Sequence, residues 1–469
     1  MLDGAKNLLK RVFIERLLRA DAARRKTLGD AFNGLPPALW GYEIDREGRL
    51  TVEGISVISL AERFGSPLYV VNSRWLRKSH DDFLMPFRSV YSNASLATSY
   101  KTNPLPSVLR TLHDLGTYAE VISDFELWLA LRLGLPGDKI VVNGPGKDRG
   151  FIARAVASAV KIINIDGLGE IAAIESESSR LGRPQPVGVR VVTSIGWSSQ
   201  FGLSIATGEA LDAFARIAAS KWLRPIGIHL HIGTGLKDVD AYVSAVTEVL
   251  RFSEALRARL GITLEVFDLG GGFGVPTVRA TDPWDDRMIS LGYPAREAFP
   301  PDCPTAADYA ARIAPLFRTR SAFQPEIIFE PGRAITSGAQ SLVLRVIAVK
   351  ERADVRQLIM DGGKNITMPL GWETHKIFPL TQTNGENLVK TEVFGPLCHP
   401  GDVIARHLKL PRLEVGDGLA IMDAGAYFVP NQMNFSNPRP AALMIQAGEP
   451  RIVRQRETYE DIVKLDALP

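Results

Sequence analysis

The feature that most restricts this 469-residue chain is a repeating order of apolar strand candidates and helix-periodic segments. Strand candidates fall at residues 96–100, 118–122, 140–142, 162–165, 187–192, 226–232, 264–269 and 326–329. Between them, residues 106–115, 124–133, 151–160, 167–181, 210–219 and 239–260 carry apolar side chains at helical spacing. Eight strands alternating with helices over about 240 residues is the count and size of a (β/α)8 barrel. A doubly wound open sheet is the alternative, and strand count alone does not separate the two.

The flanks read differently. Residues 5–26 place Leu8, Leu9, Val12, Phe13, Leu17 and Leu18 at helical spacing with basic residues around them. A membrane-surface or transit-peptide helix fits that pattern. Glu15 and Asp21 speak against a transit peptide, and the expectation is an ordinary packing helix. After residue 335 the pattern becomes strand-like, at 341–349, 355–360, 415–421 and 441–445, with Gly- and Pro-rich turns and no long amphipathic helix. The expected organisation is a helical extension at 1–37, lead-in strands at 38–72, a barrel at 73–335 and a β-rich domain at 336–469. Strands from residues 38–60 are expected to join that last domain. Net charge is +3, which gives no reason to expect nucleic acid or a membrane surface as partner. Two cysteines, Cys303 and Cys398, make no disulfide framework, so a cytoplasmic setting is expected. There is no apolar run of about 18 residues and no secretory signal pattern.

In a barrel, chemistry sits where strands end at the C-terminal face, and four strand ends here are unusual. The first ends on Lys101, in Ser99-Tyr100-Lys101-Thr102-Asn103. It is either a strand-end lysine reaching solvent or a Schiff-base lysine whose pKa is lowered so that the amine is nucleophilic. The sixth carries His229 and His231, two apart and so on one side of the strand, followed by Ile232-Gly233-Thr234-Gly235. A metal pair is one reading, but no third ligand has convincing spacing; a ring lying flat on an aromatic cofactor is another. The seventh ends in Gly270-Gly271-Gly272-Phe273-Gly274, which fails the dinucleotide fingerprint and suits either a single phosphate or a tight turn. The eighth ends in Glu330-Pro331-Gly332-Arg333: a carboxylate for a protonated ring nitrogen and a guanidinium for phosphate, or simply a mutual salt bridge. Beyond the barrel, Cys398, His399 and Asp402 share one turn-rich loop, and Gly425-Ala426-Tyr427 ends another strand. Adjacency in sequence does not make Cys398 and His399 a nucleophilic dyad.

Taken together and in order, these stretches resemble the fold-type III pyridoxal-phosphate decarboxylases, which include the diaminopimelate, ornithine and arginine decarboxylases, with alanine racemase more distant. The resemblance runs from about Trp40 to Ile445 and includes Phe64-Gly65-Ser66-Pro67-Leu68-Tyr69 and Ser123, Glu126, Asn143-Gly144 and Lys147. It implies a TIM barrel plus a β domain, with pyridoxal 5′-phosphate as cofactor. Lys101 would carry the cofactor as a Schiff base, His231 would stack on its ring, and Glu330 would pair with the ring nitrogen. Thr234, Gly271, Gly272, Arg333 and Tyr427 would contact its phosphate. Cys398 would be the proton donor, reaching the site of a partner subunit, so a homodimer with shared active sites is implied. His399 and Asp402 would face the amino-acid substrate. No metal is implied.

Two departures bear on substrate. The family usually places Glu or Asp after the cysteine, facing the substrate's distal ammonium; here it is His399. The family's Arg-Pro-x-Leu-Tyr segment, whose arginine helps read a distal carboxylate, appears as Thr367-Met368-Pro369-Leu370-Gly371-Trp372. The expectation is a decarboxylase for an amino acid or conjugate other than diaminopimelate. An amino-acid racemase on the same fold and a non-catalytic regulatory homologue are the competing readings. Glu330 speaks against the first, and intact Lys101, Cys398 and Glu330 against the second.

Overall fold

The computed structural model describes residues 2–28, 34–196, 199–320, 324–381 and 388–467. Eight parallel strands form a closed ring: β1 (Ala94–Ser99), β2 (Tyr118–Val121), β3 (Ile140–Val142), β4 (Ile162–Ile165), β5 (Gln185–Val192), β6 (Leu223–His229), β7 (Val266–Asp268) and β8 (Glu326–Phe329). Each pairs with the next, and β8 returns to β1 through Ile327↔Ala94 and Phe329↔Leu96. That last pairing rules out the open doubly wound sheet. The strands are short, nearly continuous apolar runs because both faces are covered, one by the barrel interior and one by helices. The helices begin where a side chain can accept the first free amides. Ser123 caps Asp124–Arg132 by accepting from Glu126 N–H, and Asp238 caps Val239–Leu260 by accepting from Asp240 and Ala241.

Inside the barrel, strand alternation sorts side chains into layers. The lower layer is apolar: Ala97, Tyr118, Val141, Ile162, Ile226, Val266 and Ile328 form one buried cluster. Two residues further along six of these seven strands the interior turns polar.

The second unit is a β sheet around the 13-residue strand Gln340–Arg352. The lead-in segment that enters this sheet is Leu68–Asn72, antiparallel to Gln340–Arg352 and parallel to Ala441–Gln446. The strands expected to do so, at Tyr42–Ile44, Leu50–Val52 and Ile55–Ser56, form a small sheet of their own. They attach by one backbone bridge, Arg49↔Thr381, with Leu50 N–H donating to Leu380 O at 2.8 Å, and by packing: Trp40, Tyr42, Leu50 and Val52 share a core with Val343, Phe378 and Ala420. The units are also stitched by polar contacts. Trp40 Nε1 donates to Asp423 Oδ2 at 2.7 Å, and Asn103 Nδ2 donates to Gln340 Oε1 and to Gly425 O at 3.0 and 3.1 Å.

The N-terminal helix, Leu2–Thr27, departs from the packing helix expected of it. Ile14 is buried, while Leu8, Leu9, Val12, Phe13, Leu17 and Leu18 are exposed. Its attachments are mostly polar, such as Tyr293 to Glu15 and Arg25 over the Phe299 ring. The apolar spacing is real, but it runs around the helix rather than along one stripe, so one contact line cannot cover it. Among the described residues no helix is long and apolar enough to cross a membrane.

Candidate active site

Two residues beyond the apolar layer, the strands deliver Ser99, Glu120, Asn143, Asn164, Asp268 and Glu330, while β5 and β6 supply Arg190 and His229. A register shift between Pro225 and Gly227 lets β6 turn His229 into this layer. Eight polar groups in a barrel interior are costly unless they are bonded. Six of them bond to one another, Arg190 pairs with Asp166 outside the set, and the His229 nitrogens make no hydrogen bond among the described residues. Ser99 Oγ donates to Glu120 Oε2 at 2.6 Å. Asn143 Nδ2 donates to Glu120 and to Glu330 at 3.1 and 2.6 Å. Asn164 Nδ2 donates to Asn143 Oδ1 at 2.9 Å. His229 Nε2 lies 3.6 Å from Glu330 Oε2, and Arg190 lies 3.5 Å from Asp166.

Above this layer opens a cavity of about 500 Å³ lined by Lys101, His231, Thr234, Gly272, Arg333 and Tyr427, among others. Lys101 continues the alternation Ala97, Ser99, Lys101, so it points inward. Its Nζ is 3.8 Å from Glu120 Oε2. Contrary to the lowered pKa expected of a Schiff-base lysine, its pKa is raised. Burial acts downward, but the negative charges of Glu120 and then Glu330 outweigh it. His231 goes the other way: burial, then the Lys101 charge, lowers it to about 3, so its ring is neutral at physiological pH. Its Nδ1 accepts the Gly271 N–H at 3.1 Å, which assigns the ring proton to Nε2.

Glu330 and Asp268 form a buried acid pair that divides its charge. Burial opposes ionisation of Glu330, but His229, a hydrogen bond from Asp268 and the Lys101 charge hold it well below the usual carboxylate range. Burial and the Glu330 charge hold Asp268 well above that range. Asp268 therefore keeps the proton and donates it to an anionic Glu330. With His229 these two acids place ligand atoms within 4.8 Å of one another, a spacing a metal also uses. Here the acids are each other's hydrogen-bond partners, which leaves the set short of anionic ligands.

Phosphate-sized groups find two unsatisfied donors. Arg333 Nη2 is taken by Glu373, while Arg333 Nη1 and Thr102 Oγ1 are buried with no hydrogen-bond partner among the described residues. The guanidinium also lies over the Tyr427 ring, 5.4 Å from its centroid. Tyr427 sits at φ +67°, held there by its N–H to Thr102 O at 2.9 Å and by Asn431 Nδ2 to its own carbonyl at 2.8 Å. The glycines are needed for close approach: a Cβ on Gly272 would meet Gly233 O at 1.9 Å, and one on Gly271 would meet Glu330 O at 2.2 Å. Gly271, expected at the phosphate, does not line the cavity. Its N–H is spent on His231, and its carbonyl accepts from Tyr242.

The loop at 396–402 stands apart. Cys398 and His399 are exposed, and neither lines the cavity of its own chain. Asp402, expected to face substrate, is a loop brace instead: it is buried, Oδ1 accepts Lys364 N–H at 2.6 Å and Oδ2 accepts Leu397 N–H at 2.7 Å. The residues not singled out from sequence, Glu120, Arg190 and Glu373, also line the cavity. For Glu120 and Arg190 the signal is a lone charged residue in an otherwise mostly apolar barrel strand; Glu373, on a ribbon outside the barrel, carries no such signal.

One group that offers an aldehyde to Lys101, a ring nitrogen to Glu330 and a phosphate to Arg333 and Thr102 would use each of these partners at once. Pyridoxal 5′-phosphate is that group, and the donor set fits it. Residues 81–337 match the family described as pyridoxal-dependent decarboxylase, pyridoxal binding domain; this is more than half of the chain, which belongs to that family of pyridoxal-phosphate-dependent carboxy-lyases. The diaminopimelate decarboxylase of Archaeoglobus fulgidus is 30% identical over 440 residues, covering 90% of this chain and 98% of that protein. The same enzyme from Methanocaldococcus jannaschii is 29% identical over 444 residues, covering 90% and 96%. A crystal structure of the M. jannaschii diaminopimelate decarboxylase in co-complex with L-lysine superposes with a TM-score of 0.80 at 28% identity, covering 91% of this chain and 98% of that one.

Proposed function

We propose that this enzyme removes the α-carboxyl group of an amino acid or amino-acid conjugate other than meso-diaminopimelate, in a cytoplasmic homodimer whose sites each take Cys398 from the other subunit. The observation that carries the reading is the charge arrangement at the barrel mouth: a cationic Lys101, a neutral His231 and a Glu330 kept anionic by His229, Asp268 and Lys101. When bound, pyridoxal 5′-phosphate supplies an electron sink for the pair left on the α-carbon as carbon dioxide departs. Lys101 would hold the cofactor covalently, with Thr234, Gly272, Arg333 and Tyr427 at its phosphate. The anionic Glu330 would keep the proton on the ring nitrogen, favouring decarboxylation over the racemase reading. His231, uncharged and fixed by the Gly271 N–H, would present its ring face without repelling that proton. Cys398 Sγ would return a proton to the α-carbon. An exposed thiol on a loop that misses its own cavity supports delivery to another chain. The substrate part of the reading rests on His399 where the family usually has an acid, and on the absence of arginine from 367–372.

The test is carbon dioxide release by purified holoenzyme across L- and D-amino acids and amino-acid conjugates. Decarboxylation of meso-diaminopimelate as efficient as that of any other compound sinks the substrate reading. Mixing Lys101→Ala with Cys398→Ala subunits should restore turnover that neither variant has alone; failure of mixed dimers to do so sinks the shared site.

A further inference from the structure

The cavity has a rim that the cofactor does not account for. Trp372 follows the turn Met368–Gly371, and its carbonyl accepts the Thr281 N–H at 2.9 Å. Beside it, Arg279–Ala280 pairs antiparallel with Glu373–Thr374. This short ribbon brings Trp372, Glu373 and Ala280 to the cavity, and Phe201 lines it as well. Trp372 is 46% exposed and, with Phe201, presents an apolar wall to the cavity.

The charges at this rim are already committed, with the unpaired Arg333 Nη1 left for the cofactor's phosphate. Arg333 is paired with Glu373, and Glu373 also accepts from or shares a proton with His375 Nε2 at 3.2 Å. Arg190 is paired with Asp166 and lies over the Phe201 ring, 4.4 Å from its centroid. Lys101 and Glu330 are occupied with the cofactor, and Asn431 donates to the Tyr427 carbonyl. A substrate carboxylate or ammonium pressed against Trp372 and Phe201 would lose its hydration and find, among the described residues, no uncommitted opposite charge. A neutral end pays no such penalty and gains the apolar contact.

We infer that the distal subsite takes an uncharged, partly apolar end. The substrate class is then an α-amino acid whose far portion is hydrophobic or amide-linked. Trp372 is its specificity-determining side chain. This rests on the decarboxylase reading of the same cavity.

The test uses two readouts on holoenzyme: carbon dioxide release, and the change in the cofactor's visible absorption as amino acids bind. The probes share one α-amino-acid head and differ at the far end: L-glutamine, L-methionine and L-phenylalanine against L-glutamate, L-lysine and meso-diaminopimelate. At least one neutral probe should bind about 10-fold or more tightly than every charged one, a difference of about 1.4 kcal/mol. Trp372→Ala should raise KM for the neutral probes by more than it lowers kcat. Tighter binding of a charged probe by the native enzyme, or a Trp372→Ala variant with unchanged preference, overturns the inference. The absorption titration reads the preference even if no probe releases carbon dioxide, so failure of the reaction reading is told apart from failure of this one.

Discussion

Glu126 gives the sharpest quantitative test of the electrostatics behind Lys101. It lies in the first turn of Asp124–Arg132, is 7% exposed, and accepts the Ile122 N–H at 2.8 Å. Burial, then the charge of Glu120, raises its pKa from 4.5 to about 7. The native chain therefore holds a proton that the unfolded chain releases near 4.5. Between those values the native state binds more protons, so stability falls as pH rises through that window. A shift of this size, at about 1.4 kcal/mol per unit, amounts to about 3 kcal/mol. Replacing Glu126 with Gln keeps an oxygen for the Ile122 N–H and removes the titration. Between pH 5 and 8 the native protein should lose about 3 °C of thermal midpoint relative to Glu126→Gln, given the unfolding entropy of a chain this long. Thermal melts of both cofactor-free proteins across that range provide the measurement. Parallel pH profiles would refute the claim that Glu120 and burial act together on Glu126.

The remaining expectations concern the barrel mouth. Gly272→Ala should destabilise the chain by about 1–3 kcal/mol and weaken cofactor retention, since its backbone is at φ +89° and a Cβ would strike Gly233 O; melting and cofactor absorption check both. Asp268→Ala should lower kcat about 10-fold or more, because it removes the proton that Asp268 shares with Glu330. Asp268→Asn, which keeps a donor there, should lower kcat much less, and steady-state kinetics of the pair separates this from a general loss of structure.

Much of this was legible in the sequence, for a physical reason. Parallel strands buried on both faces must be apolar along their whole length, so 140–142, 162–165 and 326–329 stand out as read. Lys101, His231, Glu330 and Arg333 were visible because they end such strands. The polar layer was not visible as a layer. Glu120 or Asn164 alone looks like one tolerated polar residue, and only the folded barrel sets Ser99 opposite Glu120 and brings Asn143 to it. The direction of the Lys101 shift was missed for the same reason: burial is readable from sequence, but the Glu120 carboxylate across the sheet is not. Asp402 shows the opposite failure: it matches a motif that points to a ligand, but its oxygens accept the amides of Lys364 and Leu397 and tie the loop to the neighbouring segment. The N-terminal helix shows that apolar spacing predicts a helix without predicting that its apolar side chains find cover.

The central claim is that this barrel mouth holds its cofactor through Lys101. Borohydride reduction of the yellow holoenzyme, followed by peptide mass spectrometry, measures it directly. The expected product is a phosphopyridoxyl group on Lys101, with the visible absorption bleached and none of the label on the buried Lys147 or on Lys364. Label on another lysine, or no stable label on a protein that still releases carbon dioxide, would contradict it.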